Sequence, residues 1–152
     1  MSESFQIRVA QLEDAVALAA LNQEFNTPPT TPDQILSYLS SGWHTELVLV
    51  AEVAGQVVGF ACLQVLASVC YAQPWAELTE LYVQEAYRRR GIGRALICEA
   101  ERLAQQDGAT DMLVHTGVAN EAGQALYQAL GYSLQAHVSL QKRLNSSSST
   151  PA

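Results

Sequence analysis

The chain has 152 residues, 49% apolar and 15% charged, a length and composition typical of one folded domain rather than of a disordered segment. Its net charge of −7 argues against binding to nucleic acid, because phosphate backbones are bound by clustered cations. No apolar run reaches the roughly 18 residues that a membrane span needs, so we expect no membrane binding.

The first part of the chain predicts a strand and two helices. Apolar residues recur at strand spacing in residues 7–9 and at helical spacing in residues 12–25. Thr31, followed by Pro32 and Gln34, is typical of a helix start with a capping box, so a second, short helix is predicted there.

The middle of the chain predicts a hairpin and a further strand. Two apolar runs, residues 47–53 and 56–65, meet at Ala54-Gly55, which predicts the hairpin turn. Residues 78–83 are predicted to form the next strand.

The last third predicts two more helices, each ended by a glycine. Residues 92–106 form the longest predicted helix and Gly108 ends it. A short strand at residues 112–114 precedes a helix at residues 121–130, which Gly131 ends. A final strand is predicted from Tyr132 to Leu140, and the serine-rich residues 145–152 are expected to be disordered. The order of elements is that of an α/β domain.

A compact basic segment opens the longest helix. The helix dipole disfavours cations at this position, whereas the unpaired N–H groups of a first helical turn favour anions. Gly91 and Gly93 would let a pyrophosphate approach these N–H groups. The segment therefore predicts a phosphate-bearing ligand, with a solvated basic helix start as the alternative. Four of the eight basic residues of the chain lie here: Arg88, Arg89, Arg90 and Arg94.

Two motifs resemble those of one known family. Leu81-Tyr82-Val83 followed by Arg88-x-x-Gly91-Ile92-Gly93 resembles the acetyl-CoA motif, (Gln/Arg)-x-x-Gly-x-(Gly/Ala), of the GNAT superfamily of N-acetyltransferases. The run from Asn120 to Tyr132 resembles the second motif, Asn-x-x-Ala-x-x-Leu-Tyr-x-x-Leu-Gly-(Phe/Tyr), with Gly123 where alanine is usual. The segment does not match a P-loop or a dinucleotide fingerprint.

The resemblance implies a fold and a cosubstrate. It implies an α/β (α+β) GNAT acyl-CoA N-acyltransferase fold in a single domain over residues 3–144, with a mixed central sheet of about six to seven strands and about four helices. It also implies acetyl-CoA as cosubstrate, no metal, and direct attack of an amine on the thioester.

The resemblance also implies where acetyl-CoA binds. The strand ending at Val83 would splay from its neighbour, pantetheine would bond to the backbone at Leu81 and Val83, and pyrophosphate would lie on the amides of residues 89–94. Asn120 would contact the pantetheine arm, or serve only as an N-cap, and these roles are compatible. Tyr127 would face the thioester sulfur, with a core aromatic as the alternative. The implied binding residues are Leu81, Tyr82, Val83, Arg88, Arg89, Arg90, Gly91, Ile92, Gly93, Arg94, Ala95, Asn120 and Tyr127.

Three side chains are candidates for catalysis. Neutralising a lysine-like amine at pH 7.4 costs about 4 kcal/mol, so a carboxylate base is expected. Glu77 is the favoured base, and Glu80 is the alternate base or an amine-binding anion. Simple alternation would send them to opposite faces unless the strand is bulged, and both could be ordinary surface acids. Tyr127 is expected to donate a hydrogen bond to the developing thiolate, because full proton transfer to a thiol is uphill by roughly 2 kcal/mol.

The acceptor is less constrained by the sequence. A small-molecule primary amine is favoured over peptide N-termini or lysines, and a non-catalytic acyl-CoA-binding regulatory domain is the other alternative. Trp43, Tyr71 and Trp75 could line an acceptor pocket or take part in core or dimer packing. Pairing through the terminal strand slightly favours a homodimer.

The three cysteines suggest a cellular compartment. Cys62, Cys70 and Cys98 form no Cys-x-x-Cys pair, and no secretory signal is visible, so we expect free thiols in the cytoplasm. Cys98 is expected to be a small apolar filler within the longest helix.

Overall fold

The computed structural model describes residues 3–42 and 45–144, which form a five-stranded mixed sheet with four α-helices. The sheet order is β1-β2-β3-β4-β5, in which neighbours are antiparallel except for the parallel pair β4 and β5. Short 3₁₀ turns precede α1 and α3. The elements are β1 (Phe5–Val9), α1 (Ala15–Phe25), α2 (Pro32–Ser40), β2 (Glu46–Val53), β3 (Gln56–Leu66), β4 (Trp75–Val83), α3 (Ile92–Gln106), β5 (Met112–Val114) and α4 (Glu121–Ala129).

The predicted helix starts and stops are confirmed by the local hydrogen bonds and dihedrals. The Thr31 hydroxyl accepts from the Gln34 N–H at 3.2 Å, and the Gln34 side chain accepts from the Thr31 N–H at 2.8 Å, which completes the capping box. Gly108 and Gly131 follow α3 and α4 with φ angles of 86° and 96°. This left-handed conformation favours glycine and ends each helix where the sequence predicted.

The helices cover both faces of the sheet. Helix α3 packs on one face through fully buried side chains such as Leu96 and Ile97, which meet Leu49 and Leu78 of the strands. Helices α1 and α2 cover the other face, where Leu21 joins a second buried cluster. Below, these are called the α3 face and the α1 face.

Strand β4 contains a bulge that reverses its alternation. Cys62 of β3 pairs with Glu80, but the next residue, Leu63, pairs with Leu78, so Thr79 is the extra residue. Both Leu78, before the bulge, and Leu81, after it, therefore pack in the cluster on the α3 face. The residues directly before them, Glu77 and Glu80, both lie on the α1 face. Simple alternation would send these two acids to opposite faces, and the bulge is the exception that the sequence analysis allowed for.

A gap opens between β4 and β5. The two strands pair only from Ala76↔Met112 to Leu78↔Val114, whereas β4 continues to Val83. Among the described residues, no strand therefore pairs with residues 79–83 on that side. A crevice at the carboxyl ends of parallel strands is a common place for a ligand.

The predicted final strand, Tyr132 to Leu140, is wrong. Residues 133–144 form neither a strand nor a backbone–backbone hydrogen bond with any described residue. Leu134, Val138 and Leu140 are 83%, 87% and 94% exposed. Within the described chain no strand edge pairs with this segment, and the sheet has five strands there rather than the expected six to seven. The predicted tail, residues 145–152, lies outside the described residues, as does Trp43.

Candidate active site

The start of α3 presents a row of unpaired backbone N–H groups. The amides of residues 89–94 donate to no acceptor among the described residues, whereas the Ala95 N–H is bonded to the Gly91 carbonyl at 3.0 Å. Arg89 and Gly91 have φ angles of 62° and 83°, and alternating backbone handedness of this kind turns successive N–H groups toward one point. Such an arrangement at a helix N-terminus is suited to binding an anion.

The arginine side chains around these amides are only partly engaged. Arg88 donates from Nε to the Val83 carbonyl at 2.8 Å and lies over the Tyr82 ring. Arg90 donates to the Ala86 carbonyl at 3.0 Å. Arg89 and Arg94 form no hydrogen bond or ion pair with the described residues, so their guanidinium groups can turn toward an anion.

For three of the predicted binding residues, the side chain or the amide is already engaged elsewhere. The Ile92 side chain is buried in the core on the α3 face. The Tyr82 side chain lies on the α1 face, where its hydroxyl donates to Glu24 at 2.7 Å. The Ala95 amide is already used inside the helix. Leu81 and Val83, in contrast, border both the gap and the α3-face cluster.

Tyr127 of α4 packs beside the gap. Its side chain is 8% exposed and belongs to the cluster that contains Leu81, Val83 and Val114. Its hydroxyl makes no hydrogen bond to the described residues and is not completely covered. Burial raises the pKa of this phenol, so it stays protonated at neutral pH and can donate a hydrogen bond.

Asn120 acts as the N-cap of α4. Its Oδ1 accepts from the Gly123 N–H at 3.1 Å, and its Nδ2 donates to the Thr116 hydroxyl at 3.0 Å. The capping role is therefore filled in this conformation.

The carboxylates Glu77 and Glu80 lie on the α1 face, opposite two residues of β3 that are two positions apart. Glu80 lies opposite Cys62 of β3, and Glu77 lies opposite Gln64. The Nε2 atom of His115, after β5, is 3.5 Å from Glu77 Oε1. Glu80 belongs to the part of β4 that borders the gap, whereas Glu77 belongs to the part that pairs with β5.

The electrostatic surroundings of Glu80 favour a base. Partial burial, and after it the negative charge of Glu46, raise the pKa of Glu80 above its usual range. A carboxylate with a raised pKa binds a proton more tightly and is a better proton acceptor.

A cavity of about 540 Å³ lies beside this face, between the β3–β4 connection and β5. Tyr71 and Trp75 line it, with ring centroids 6.0 Å apart at 85°, and so does Leu113. Leu113 is the register partner of Glu77, which brings the cavity next to this carboxylate. Of the three predicted acceptor aromatics, two therefore lie together.

Two polar residues of this face were not identified from the sequence. Glu46 is the first residue of β2, and its carboxylate accepts a hydrogen bond from the hydroxyl of Thr79. The hairpin turn at Ala54-Gly55 alone would bring Glu46 opposite Leu63, and a bulge between Ala51 and Glu52 shifts it to Gln64. Neither this bulge nor the one at Thr79 leaves a signal in the residue types, so Glu46 could not have been placed from the sequence.

Cys98 also differs from its prediction. Its side chain is exposed on α3, and it does not fill the core. The neighbouring residues Ile97 and Ala100 occupy the buried stripe of the helix instead.

Known proteins with assigned activities resemble this chain. It is 33% identical over 96 residues to the rat protein N-acetyltransferase family 8 member 3, covering 63% of this chain and 41% of that protein. It thus spans about two fifths of that relative. It is 28% identical over 145 residues to aminoglycoside N(6')-acetyltransferase type 1 of Klebsiella aerogenes, covering 91% of this chain and 95% of the enzyme.

Solved structures share the fold. Aminoglycoside N-acetyltransferase AAC(6')-Iy in complex with CoA superposes with a TM-score of 0.78 at 21% identity, over 94% of this chain and 97% of that one. Ribosomal-protein-alanine N-acetyltransferase from Brucella melitensis gives a TM-score of 0.78 at 21% identity, over 93% and 100%.

The family profile described as the Acetyltransferase (GNAT) family matches residues 16–132, which is more than half of the chain. This range contains both motifs, the gap in the sheet and the unpaired amides. None of the helices in residues 3–42 and 45–144 is both long and apolar enough to cross a membrane. The chain belongs to the GNAT family of acetyltransferases.

Proposed function

We propose that this protein is an acetyl-CoA-dependent N-acetyltransferase that acetylates a cationic small-molecule primary amine. The observation that carries the proposal is the row of unpaired amides at residues 89–94, beside a strand whose β5 side is unpaired over residues 79–83 in the described part of the chain. The unpaired amides suit a pyrophosphate, and the unpaired strand edge suits an extended chain with amide groups. Acetyl-CoA contains both a pyrophosphate and such a chain.

The residues of this region fit the cosubstrate chemically. The amides of residues 89–94, with the side chains of Arg89 and Arg94, would hold the pyrophosphate. The backbone of Leu81 and Val83 would bond to the pantetheine arm. The Val83 carbonyl now accepts from Arg88, so this arginine would move aside or share that acceptor.

Glu80 and Tyr127 would carry the proton and charge changes. Bound acetyl-CoA supplies the acetyl thioester, whose C–S bond breaks as the amine forms the new C–N bond. Glu80 would accept the proton that the amine loses, from the α1 face of the gap. Tyr127, from the α3 face, would donate a hydrogen bond to the sulfur.

We assign the base to Glu80 rather than to Glu77, which the sequence slightly favoured. Glu80 borders the gap, and its pKa is raised. Glu77 lies beside His115 and the cavity, a position that suits binding of a second cationic group of the acceptor. Replacing each with glutamine separates the roles: Glu80→Gln should lower kcat, and Glu77→Gln should mainly raise KM for the amine.

The class of acceptor follows from charge and space. Three carboxylates, Glu46, Glu77 and Glu80, lie on the α1 face. The register partner of Glu77, Leu113, lines a cavity of about 540 Å³. Negative charge in a confined site favours an amine that carries more than one positive charge. The similarity to an aminoglycoside acetyltransferase agrees with this class.

We also propose that two copies associate through residues 134–140. The segment presents three exposed apolar side chains, Leu134, Val138 and Leu140, and the outer edge of β5 borders a groove of about 450 Å³. Pairing with a second copy would cover both surfaces. Size-exclusion chromatography with light scattering tests this, because a Leu134→Ser/Leu140→Ser variant should be monomeric where the unmodified chain is a dimer.

We retain the cytoplasm as the proposed location. All three cysteines are free thiols, which suits a reducing compartment.

Release of the CoA thiol, measured with a panel of amines, tests the function. The panel contains an aminoglycoside, a polyamine, an N-terminal alanine peptide and a lysine peptide. Thiol release with the first two supports the proposal. Release only with a peptide would identify a protein acetyltransferase. Binding of acetyl-CoA in a thermal-shift assay, without release for any amine, would identify a non-catalytic acyl-CoA-binding domain.

A further inference from the structure

The start of β2 is tied to the bulge of β4. The hydroxyl of Thr79, the extra residue of the bulge, donates to Oε1 of Glu46. The two residues are 33 positions apart in sequence, and strand β3 separates their strands in the sheet. The contact therefore bridges over β3 on the α1 face.

This bridge brings Glu46 close to the proposed base. Glu80 follows Thr79 directly in the chain, and both carboxylates lie on the α1 face. The charge of Glu46 acts on three groups, Cys62 of β3, Glu80 of β4 and Tyr38 of α2. Glu77 lies one register step away on the same strand.

We propose that Glu46 is a positioning residue for the transferase reaction, which keeps a second carboxylate, anchored by the Thr79 hydroxyl, beside the base Glu80. The inference rests on the proposed function, since it assigns Glu80 as the base. Neither of the two sequence motifs contains Glu46.

A fixed negative charge beside a carboxylate makes proton uptake by that carboxylate more favourable. Partial burial and the charge of Glu46 both raise the pKa of Glu80. The charge of Glu46 also raises the pKa of the Cys62 thiol, after burial, and this keeps the neighbouring thiol neutral. Without the charge of Glu46, Glu80 would lose its proton at lower pH and would be a weaker base at neutral pH.

Glu46→Gln tests the inference, because the glutamine oxygen can still accept from Thr79 while the charge is lost. The Glu80 carboxyl carbon, followed by ¹³C NMR in the protein without ligands, should titrate at a pH lower by about half a unit or more. The acidic limb of the kcat/KM profile, at saturating acetyl-CoA, should move to lower pH by the same amount. Glu46→Asp should restore most of the original profile. The matched control is Glu13→Gln, an exposed carboxylate before α1, which should move neither curve.

Thr79→Val supplies a second variant, since it keeps the charge of Glu46 but removes its anchor. It should move both curves in the same direction by less than Glu46→Gln. An unchanged Glu80 titration in Glu46→Gln would overturn the inference. So would a shifted titration with an unchanged kcat/KM profile, and in that case the transferase function would stand. If the unmodified protein acetylated no amine, the proposed function would fail, and the NMR titration would show whether Glu46 and Glu80 are still coupled.

Discussion

The side chain of Asn120 occupies the space that a Cβ atom on residue 123 would need. A Cβ built on Gly123 meets the amide group of Asn120, which folds back to cap α4. The family motif has alanine at this position, so the glycine of this chain is what admits the capping conformation. With alanine, Asn120 would have to turn away from the helix.

Gly123→Ala should therefore release Asn120 at little cost in stability. Loss of the cap destabilises by about 1 kcal/mol, and replacing glycine by alanine inside a helix stabilises by about the same amount. We expect the free energy of unfolding, measured by urea denaturation, to change by less than about 1 kcal/mol. Asn120→Ala, which loses the cap without the compensation, should lose about 1 kcal/mol. A loss above about 2 kcal/mol in Gly123→Ala would mean that Asn120 cannot move.

Tyr127→Phe should lower kcat by about ten-fold or more, because a hydrogen bond to the leaving sulfur is lost. Stability should change by less than about 0.5 kcal/mol, since the hydroxyl has no partner among the described residues. Acetyl-CoA affinity should stay close to that of the unmodified protein. Single-turnover measurements are needed, so that slow product release does not hide the defect.

Tyr132→Phe is the matched control for Tyr127→Phe. This phenol packs against Tyr127 with ring centroids 5.6 Å apart, but its hydroxyl is bonded to Glu101 at 2.8 Å. It should retain kcat. Equal single-turnover rates for Tyr127→Phe and the unmodified protein would exclude Tyr127 from the chemistry.

Gly93→Glu should raise the Kd for CoA about a hundred-fold, or about 2.7 kcal/mol, because it places bulk and negative charge among the unpaired amides at the start of α3. Isothermal titration calorimetry measures this directly. Gly93→Ala is the control: its Cβ would lie 3.5 Å from Leu126 Cδ2, an ordinary contact, so the protein should fold normally. Equal affinity of Gly93→Glu and the unmodified protein would place the cosubstrate elsewhere.

We expect the protein to become less stable in acid as Asp14 is protonated. The Arg8 guanidinium, which donates to Asp14 at 2.7 and 2.9 Å, and the Gln11 N–H lower the pKa of this carboxyl. A lowered folded pKa adds stability above the unfolded value of 3.8, and this is lost as the pH falls through the folded pKa.

Asp14→Asn should therefore lose about 2 kcal/mol at pH 7. The difference in the free energy of unfolding between the variant and the unmodified protein, measured by urea denaturation, should shrink below about pH 4, as the Asp14 carboxyl takes up its proton. A constant difference from pH 7 to pH 3 would contradict the assignment.

The sequence allowed the helices and the unpaired amides at the start of α3 to be predicted because both depend on local chemistry. The capping box at Thr31 and the glycines at 108 and 131 fix helix ends through their own hydrogen bonds and dihedrals. Unpaired amides exist at any helix start, and the glycines of residues 91 and 93 mark this one as open.

The remaining features depend on which strands pair with one another, and this pairing cannot be inferred from the residue types. Alternation in residues 132–140 predicts two faces but not a neighbour, and no strand forms there. The approach of Glu46 to Glu80 requires the pairing of three strands and a bulge between Cys62 and Leu63 in that pairing.

The bulge divides β4 into two segments whose side chains alternate between the two faces in opposite phase. Residues 75–78 follow one phase of the pleat, and residues 80–83 follow the opposite phase. A chain shortened by Thr79 alone would form a regular strand in which Glu77 and Glu80, then two positions apart, still share the α1 face. The deletion would remove only the hydroxyl that anchors Glu46. The extra residue is thus an insertion that leaves both acids where a regular strand would present them, and it adds an attachment point for a third.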